Sequence, residues 1–523
     1  MKAQIDTTRV RPSHDVLKLL PAKTARAIGA LPLAVEDGTL VVCLADKTDF
    51  NAIERVEALL PDRKVEFVEA QDPGDFRRVL RENYPDAVMT GNLDRPENLF
   101  AHVMRRALAR NASDIHISPT ETDALVRLRI DGRLQTDLSV SPQTAAEFVS
   151  YIKVLANLDI AEKRAPQDGN IDTTVNGLEV SLRVATVPTI WGEHVTLRIL
   201  SQTRETKQLD TLDNLGFHPR QLKLFEDALE TPDGVVILSG PTGSGKTTTL
   251  YAALRRLAKP GDLHLVSIED PVEKPVAGVT QIKVDARQER VSFEKALRSV
   301  LRHDPDVVMV GEIRDGETAQ TALRSALTGH LVLTTLHTNS APGILTRLVD
   351  LGVPPYLVAS TLRLAVAQRL LRRPCRECMT WEQADAATCE KYGWDAANPP
   401  KIPIAHGCAY CGNTGYSGRT AIYEMLPVND DVRKMLIKGE SEGEIYRWLK
   451  KTAPDLTLRG DALAKVLEGE TTLEEYRATV VEELELTEEP IAKSVAHSVG
   501  TAPRAVSGGR GATALPGSTT GPN

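Results

Sequence analysis

The sequence predicts an α/β protein of several domains, organised around a parallel sheet. Three observations lead there. At 523 residues the chain is too long for one ordinary hydrophobic core, and roughly two to four domains are expected. From about 231 to 372, short apolar runs alternate with stretches of helical spacing, the pattern of parallel strands joined by crossover helices. One such run, GVVILSG at 234–240, leads straight into GPTGSGKTTTL at 240–250. Gly-x-x-x-x-Gly-Lys-Thr between a strand and a helix is a phosphate-binding loop.

Taken in order, residues 1–85 read as a small α/β unit. HDVLKLLPAKTARAIG is helical up to Gly29, TLVVCLAD is a strand, FNAIERVEALL is helical, KVEFVEA is a strand and PGDFRRVLRENY is helical again. Residues 86–97 are polar with Gly and Pro, as in a linker. Residues 98–205 form a second unit. LFAHVMRRALARNASDIHIS is a helix running into a strand, and DALVRLRIDGRLQTDL is a hairpin turning at Asp131-Gly132. LEVSLRVATVPTIWGEHVTLRIL is two more strands about a turn. Residues 206–230 are a partly helical connection, 231–372 the phosphate-loop unit and 373–420 a Cys-, Pro- and Gly-rich module. Residues 421–485 read as small helices with charged faces, and 486–523 as a disordered tail rich in small residues.

Composition narrows the class. The apolar share of 41% is that of a globular protein. No apolar run approaches the roughly 20 residues of a membrane-spanning helix, and the N-terminus lacks a signal-peptide core. The expectation is a cytoplasmic protein, in which six cysteines are not disulfides. Cys43 and Cys389 stand alone and read as packed thiols. A net charge of -8 and an aromatic share of 4% disfavour a nucleic-acid binder.

The loop residues Gly240, Pro241, Thr242, Gly243, Ser244, Gly245, Lys246, Thr247 and Thr248 are the expected nucleotide cradle. The glycines let backbone N–H groups wrap phosphates, and the helix N-terminus adds its dipole. Lys246 is placed to reach the β and γ phosphates of ATP, and Thr247 to hold Mg²⁺. A second strand, HLVSI, runs into EDPVE with Glu269, Asp270 and Glu273, and a third, DVVMV, is followed by Glu312. Ligands gather at the carboxyl ends of parallel strands. Acids there can hold Mg²⁺ or orient the attacking water. A fourth strand, in TGHLVLTTLHTN, is bracketed by His330 and His337.

Two Cys-x-x-Cys pairs, Cys375/Cys378 and Cys408/Cys411, have the two-by-two spacing of a structural Zn²⁺ site. A closed four-thiolate site leaves no position for catalysis. It holds together a module too small to have its own core.

The phosphate loop, EDPVE, HDPDVVMVGEIRD and TGHLVLTTLHTN follow one another in an order that resembles the ATPases of type II secretion and type IV pilus assembly. ASDIHISP, RLRIDGRL, APQDGNI and VPTIWGEHVTLRIL upstream agree with it. The resemblance covers about 100–427 closely and the first 85 residues loosely. Two positions depart from the family habit: His303 where glutamine is common, and Ser118 where glutamate is common.

The resemblance implies a RecA-like C-lobe, a PAS-like α+β N-lobe, and ATP bound between them in a homohexamer. It implies that N-lobe arginines reach the phosphates, with Arg127, Arg129, Arg133, Arg183 and Arg198 at the matching positions. Which of them makes contact, and which acid is the general base, stays open. The partners implied are an inner-membrane platform protein and the cytoplasmic domain of a secretion or pilus membrane protein, with the ring peripheral to the inner membrane. The tetracysteine insertion and the extra N-terminal unit are commoner in assembly motors than in retraction motors. Some relatives bind a cyclic dinucleotide in the first unit, but its repeated Arg-Leu-Gly and glutamine pattern is not found here, so protein docking is expected instead. The competing reading is a DNA translocase or helicase, which shares the loop and ring but not this acidic balance.

Overall fold

The computed structural model describes residues 4–36, 38–84, 95–175, 177–200, 211–284 and 292–480. Residues 86–94 of the expected linker, 206–210 of the expected connection, 481–485 and the tail 486–523 lie outside the described residues.

The first sheet holds β1 (Gln4–Ile5), β2 (Ala30–Glu36), β3 (Thr39–Leu44) and β4 (Lys64–Ala70) in the order β1-β4-β3-β2. β2 and β3 are antiparallel, and the other pairs are parallel. Its helices begin where the sequence supplies caps. Asp49 accepts the Ala52 amide ahead of Phe50–Leu59, and Asp72 accepts those of Gly74 and Asp75 ahead of Pro73–Asn83. Leu31, Leu33, Val42 and Phe76 fill the core.

The second sheet is antiparallel: β5 (Asp114–Pro119), β6 (Ala124–Ile130), β7 (Arg133–Val140), β8 (Gln167–Val175), β9 (Leu178–Thr189) and β10 (Gly192–Ile199), ordered β7-β6-β5-β10-β9-β8. Asp131 and Gly132, at φ 48° and 83°, make the tight turn. Helices Pro96–Ala109 and Pro142–Leu155 cover the apolar face of Ile115, Ile117, Val126, Leu128 and Leu182. β8 was not anticipated. It is an edge strand whose residues outside Ile171 and Val175 stay at least partly exposed, so QDGNIDTTV lacks an apolar alternation.

The third sheet carries the phosphate loop. Its parallel strands are β11 (Gly234–Ser239), β12 (Leu265–Glu269), β13 (Val279–Lys283), β14 (Val307–Val310), β15 (Leu331–Leu336) and β16 (Leu362–Pro374). After β16 the chain makes a two-stranded insertion, β17 (Thr380–Gln383) and β18 (Lys401–Ile404), around the helix Ala386–Tyr392. It returns as β19 (Tyr416–Pro427), antiparallel to β16, and the order is β13-β12-β14-β15-β11-β16-β19. Every residue of β11, β12, β14 and β15 is buried. That accounts for their unbroken apolar runs, since helices cover both faces. β19 corrects the reading of residues 421–427 as helical. Its AIYEML is also buried on both faces and gives no period-two signal.

Candidate nucleotide and metal sites

The loop Gly240–Gly245 joins β11 to the helix Lys246–Ala258. Gly240, Gly243 and Gly245 sit at φ 138°, 79° and 91°. A Cβ on Gly240 would lie 2.3 Å from the Gln368 carbonyl oxygen, and one on Gly245 2.8 Å from Gln368 Nε2. Glycine is therefore required both by conformation and by the close approach of β16. Lys246 Nζ donates to the carbonyls of Gly240 (2.7 Å) and Pro241 (3.2 Å). Burial lowers its pKa, and Glu312 partly opposes that. Open amides, a helix N-terminus and a part-buried ammonium fit a polyphosphate. Gln368, missed in the sequence, is buried on β16, and its Oε1 accepts the Thr249 hydroxyl at 3.0 Å.

The acids divide into two kinds. Glu269 is 3% exposed. Its carboxylate accepts from Ser267 Oγ (2.6 Å), Tyr251 Oη (2.5 Å) and Gln281 Nε2 (3.0 Å). The Tyr251 hydroxyl in turn accepts the Glu273 amide at 3.2 Å. Glu273 follows on the same turn. Burial and the nearby Glu269 charge raise its pKa, while a hydrogen bond with Thr247 and the charges of Lys274 and Arg198 hold it down in part. Glu312, just past β14, is bonded by Arg314, whose Nε lies at 2.7 Å, and by His337 Nε2 at 3.3 Å. Burial would raise the Glu312 pKa, but these two partners outweigh it and lower it. Asp270 Oδ2 lies 3.8 Å from Arg314.

The two histidines part company. His337 closes the carboxyl end of β15 beside Glu312. His330 precedes its amino end, where Nδ1 donates to the Ser325 carbonyl at 2.9 Å. At about 3.3 Å per strand residue, about 23 Å separates them. His330 is therefore not brought to the phosphate loop.

Most of the arginine cluster is held by its own sheet. Arg127 donates to Ser118 Oγ (2.9 Å), Arg129 to the Gly132 carbonyl (3.0 Å) and Arg198 to Asp114 Oδ1 (2.9 Å). Arg183 is exposed, opposite Arg198 in register. Arg133 is different. It is 62% exposed and shares a cavity of about 350 Å³ with Pro241–Ser244, Arg369 and Arg372. The hairpin bearing it is latched to the core, because Asp131 Oδ2 accepts the Gly418 amide at 2.9 Å. A larger cleft of about 1380 Å³ is lined by Gly245, Thr248 and Phe217, and Arg133 borders it as well.

The four paired cysteines converge, all with Sγ atoms within 4.8 Å of one another. Cys375–Cys408 is 3.9 Å, Cys378–Cys411 4.0 Å and Cys408–Cys411 3.8 Å. A tetrahedron of thiolates about 2.3 Å from Zn²⁺ has edges of about 3.8 Å, so the site fits that ion. The amides of Cys408 and Gly415 point at Cys411 Sγ, at 3.3 and 3.2 Å, and support a thiolate there. Cys43 and Cys389 are buried apart from them.

Comparison with known proteins agrees with this geometry. The model of the type II/IV secretion system protein family matches residues 90–478, and that of the MshEN domain matches residues 3–89. The chain is 46% identical over 385 residues to type II secretion system protein E of Pseudomonas aeruginosa, covering 74% of this chain and 75% of that one. It is 39% identical over 510 residues to type II secretion system protein E of Klebsiella pneumoniae, covering 92% and 99%. With the type IV pilus assembly ATPase PilB of Thermus thermophilus it shares 35% over 503 residues, or 91% of this chain and 56% of that one. The crystal structure of the Legionella pneumophila ATPase DotB shares the fold, with a TM-score of 0.53 at 21% identity over 73% of this chain and 94% of DotB. Among the described residues no helix is long and apolar enough to cross a membrane.

Proposed function

The chain belongs to the type II/IV secretion system protein family and is an ATP hydrolase, and from that premise we propose a homohexameric motor that assembles a secretion pseudopilus or a type IV pilus. In this reading the third sheet is a RecA-like C-lobe, and the second a PAS-like N-lobe. The ring works in the cytoplasm, docked on an inner-membrane platform protein and on the cytoplasmic domain of a membrane partner. The observation that carries the reading is the phosphate loop with Glu273, Glu312 and His337 gathered at neighbouring strand ends. A DNA translocase would share that loop, but the net charge of -8 opposes it.

The chemistry follows from the side chains. Thr247 would hold Mg²⁺, which when bound would supply charge neutralisation to the polyphosphate. Lys246 leaves the carbonyls of Gly240 and Pro241 for the phosphates, whose negative charge favours its ammonium form. Glu273 accepts the proton of the attacking water at its carboxylate, since a raised pKa makes it the better base. Glu312, kept ionised by Arg314 and His337, orients that water. Glu269 positions Glu273 through Tyr251. Arg133 is the N-lobe arginine that shares a cavity with the loop tip, and it stabilises charge on the γ-phosphoryl group as the lobes close. Zn²⁺ in the tetracysteine centre is structural.

The test is ATP hydrolysis by the purified chain and by Lys246→Ala. A loss of turnover of at least about a thousandfold is expected, while unchanged hydrolysis would remove the loop from the mechanism. Affinity purification from native membranes then separates the systems. Secretion platform proteins mark a secretion motor, and pilins mark a pilus motor. Recovery of nucleic-acid proteins alone would favour the translocase.

A further inference from the structure

The N-terminal unit touches the second unit, where Asn83 Oδ1 accepts from Arg106 Nη1 at 3.2 Å, and it is also fastened to the tetracysteine centre itself. Between the ligands Cys408 and Cys411 stand Ala409 and Tyr410. Ala409 is 3% exposed and belongs to the apolar core of the N-terminal unit, together with Val10, Leu31 and Phe76. Its carbonyl accepts the Arg11 amide at 2.8 Å. Next to it, the Gly412 backbone runs so close to Arg11 that a Cβ would stand 2.5 Å from the Arg11 carbonyl oxygen. The first cysteine pair is engaged as well. Arg9 pairs at 3.0 Å with Glu377, which lies between Cys375 and Cys378, and its guanidinium sits 5.3 Å from the Tyr410 ring centre. Arg11 then donates at 2.6 Å to the carbonyl of Ala109, the last residue of the helix Pro96–Ala109.

We propose that the tetracysteine centre is the clip that holds the N-terminal unit on the ATPase core, and that metal occupancy decides whether that unit is docked. The inference rests on the zinc reading above. Its physical basis is the shape of the second knuckle. Ala409 reaches the N-terminal core only while residues 408–415 keep their turn, with Gly412, Asn413 and Gly415 at φ 64°, 62° and 75°. The turn has hydrogen bonds of its own, such as the Asn413 amide to the Cys408 carbonyl at 3.0 Å, but apart from Tyr410 the apolar cluster around it is made of the cysteines alone, so a metal bridging the four thiolates would be its main side-chain anchor. Without it the turn relaxes, Ala409 withdraws, and the Arg9 and Arg11 contacts lose their partner surface. The remaining strand cores do not depend on it.

The test uses the full chain. Zinc content is measured first, and hydrogen exchange is then followed at residues 4–11 and at 234–258 before and after chelation. Metal removal is expected to speed exchange at residues 7–11 roughly tenfold or more, leaving 234–258 unchanged. Unchanged protection at 7–11 after complete zinc removal would overturn the proposal. Ala409→Glu keeps all four thiols. It is expected to retain zinc and the KM for ATP yet lose protection at 7–11; protection retained in that variant also overturns the proposal. A charge swap serves as the second probe: Arg9→Glu and Glu377→Arg each loosen the segment, and the double variant restores it. A purified chain that holds no zinc and takes none up would instead refute the zinc reading, and with it the control by metal. Ala409→Glu would still test the contact alone.

Discussion

Replacing Tyr251 by phenylalanine removes one hydroxyl from a ring that is 1% exposed, so no cavity opens. That hydroxyl makes two bonds. It donates to Glu269 Oε2 at 2.5 Å and accepts the Glu273 amide at 3.2 Å. Ser267 and Gln281 both serve the other carboxylate oxygen, so Glu269 Oε2 would be left buried and without these donors. A bond to a buried charge is worth about 1.5–3 kcal/mol and a neutral one about 1 kcal/mol. The loss is therefore about 2–4 kcal/mol, part of it avoided if water enters. In the core this corresponds to a fall in the thermal midpoint of the order of 5 °C or more. The catalytic effect is separable. The Tyr251 bond fixes the turn that holds Glu273 against Thr247, and about 1.4 kcal/mol of looseness there costs about tenfold in turnover. Thermal unfolding and ATP hydrolysis across a Mg²⁺ titration measure the two effects. A Tyr251→Phe chain with its midpoint within a degree of the parent, unchanged turnover and unchanged Mg²⁺ half-saturation would refute the network.

Three further outcomes are expected. Glu273 has a raised pKa because of burial and the Glu269 charge. The folded carboxyl therefore binds its proton more tightly than the unfolded one, and its contribution to stability is lost as pH climbs from the ordinary carboxylate value through the raised one. Glu273→Gln should lose that part of the pH dependence in unfolding experiments while turnover collapses at every pH. His337→Ala should lower turnover about ten- to a hundredfold by freeing Glu312. His330→Ala, at the far end of β15, should leave turnover within about twofold, and steady-state kinetics separates them. Cys411→Ser should reduce bound zinc from one ion per chain to well below one in metal analysis, because the site has no fifth ligand among the described residues.

What was legible in the sequence is what chemistry ties to fixed local spacing. Backbone amides wrap phosphate only with glycines at Gly240, Gly243 and Gly245, and two thiolate pairs grip one ion only when each pair is close along the chain. Contacts that act across sequence were not legible. Gln368 supports the loop through Thr249, 119 residues away, and a single glutamine in an apolar run announces nothing. The sequence bracketed the fourth strand with His330 and His337, but only the placement of β15 beside β14 and β11 shows that His337, and not His330, meets Glu312. The Glu269 side chain looked like Asp270 and Glu273. Only burial, with donors from Ser267, Tyr251 and Gln281, shows that its lone pairs are taken. Nor could spacing reveal that Ala409 belongs to the core of a unit nearly 400 residues upstream, because the metal motif is silent about its non-ligand residues.

β16 binds these separate features into one mechanical object. It enters beside β11 at Leu362, presses on the phosphate loop at Gln368, and lines the cavity of Arg133 with Arg369 and Arg372. It then ends at Pro374, directly before Cys375. From Gln368 to Cys375 is about 23 Å of extended chain at 3.3 Å per residue, paired from Leu364 to Pro374 with β19. β11 pairs with β16 only as far as Ala367, but the β19 ladder carries on along the rest of the strand, and a hydrogen-bonded extended strand does not stretch, so a shift of the loop on nucleotide exchange is absorbed by bending or by rigid displacement. The far end of both strands is the tetracysteine centre, and the N-terminal unit hangs on its second knuckle. Movement at the phosphate loop therefore has a stiff route to the part of the chain proposed to dock on the membrane platform, and the tetracysteine centre is its last joint.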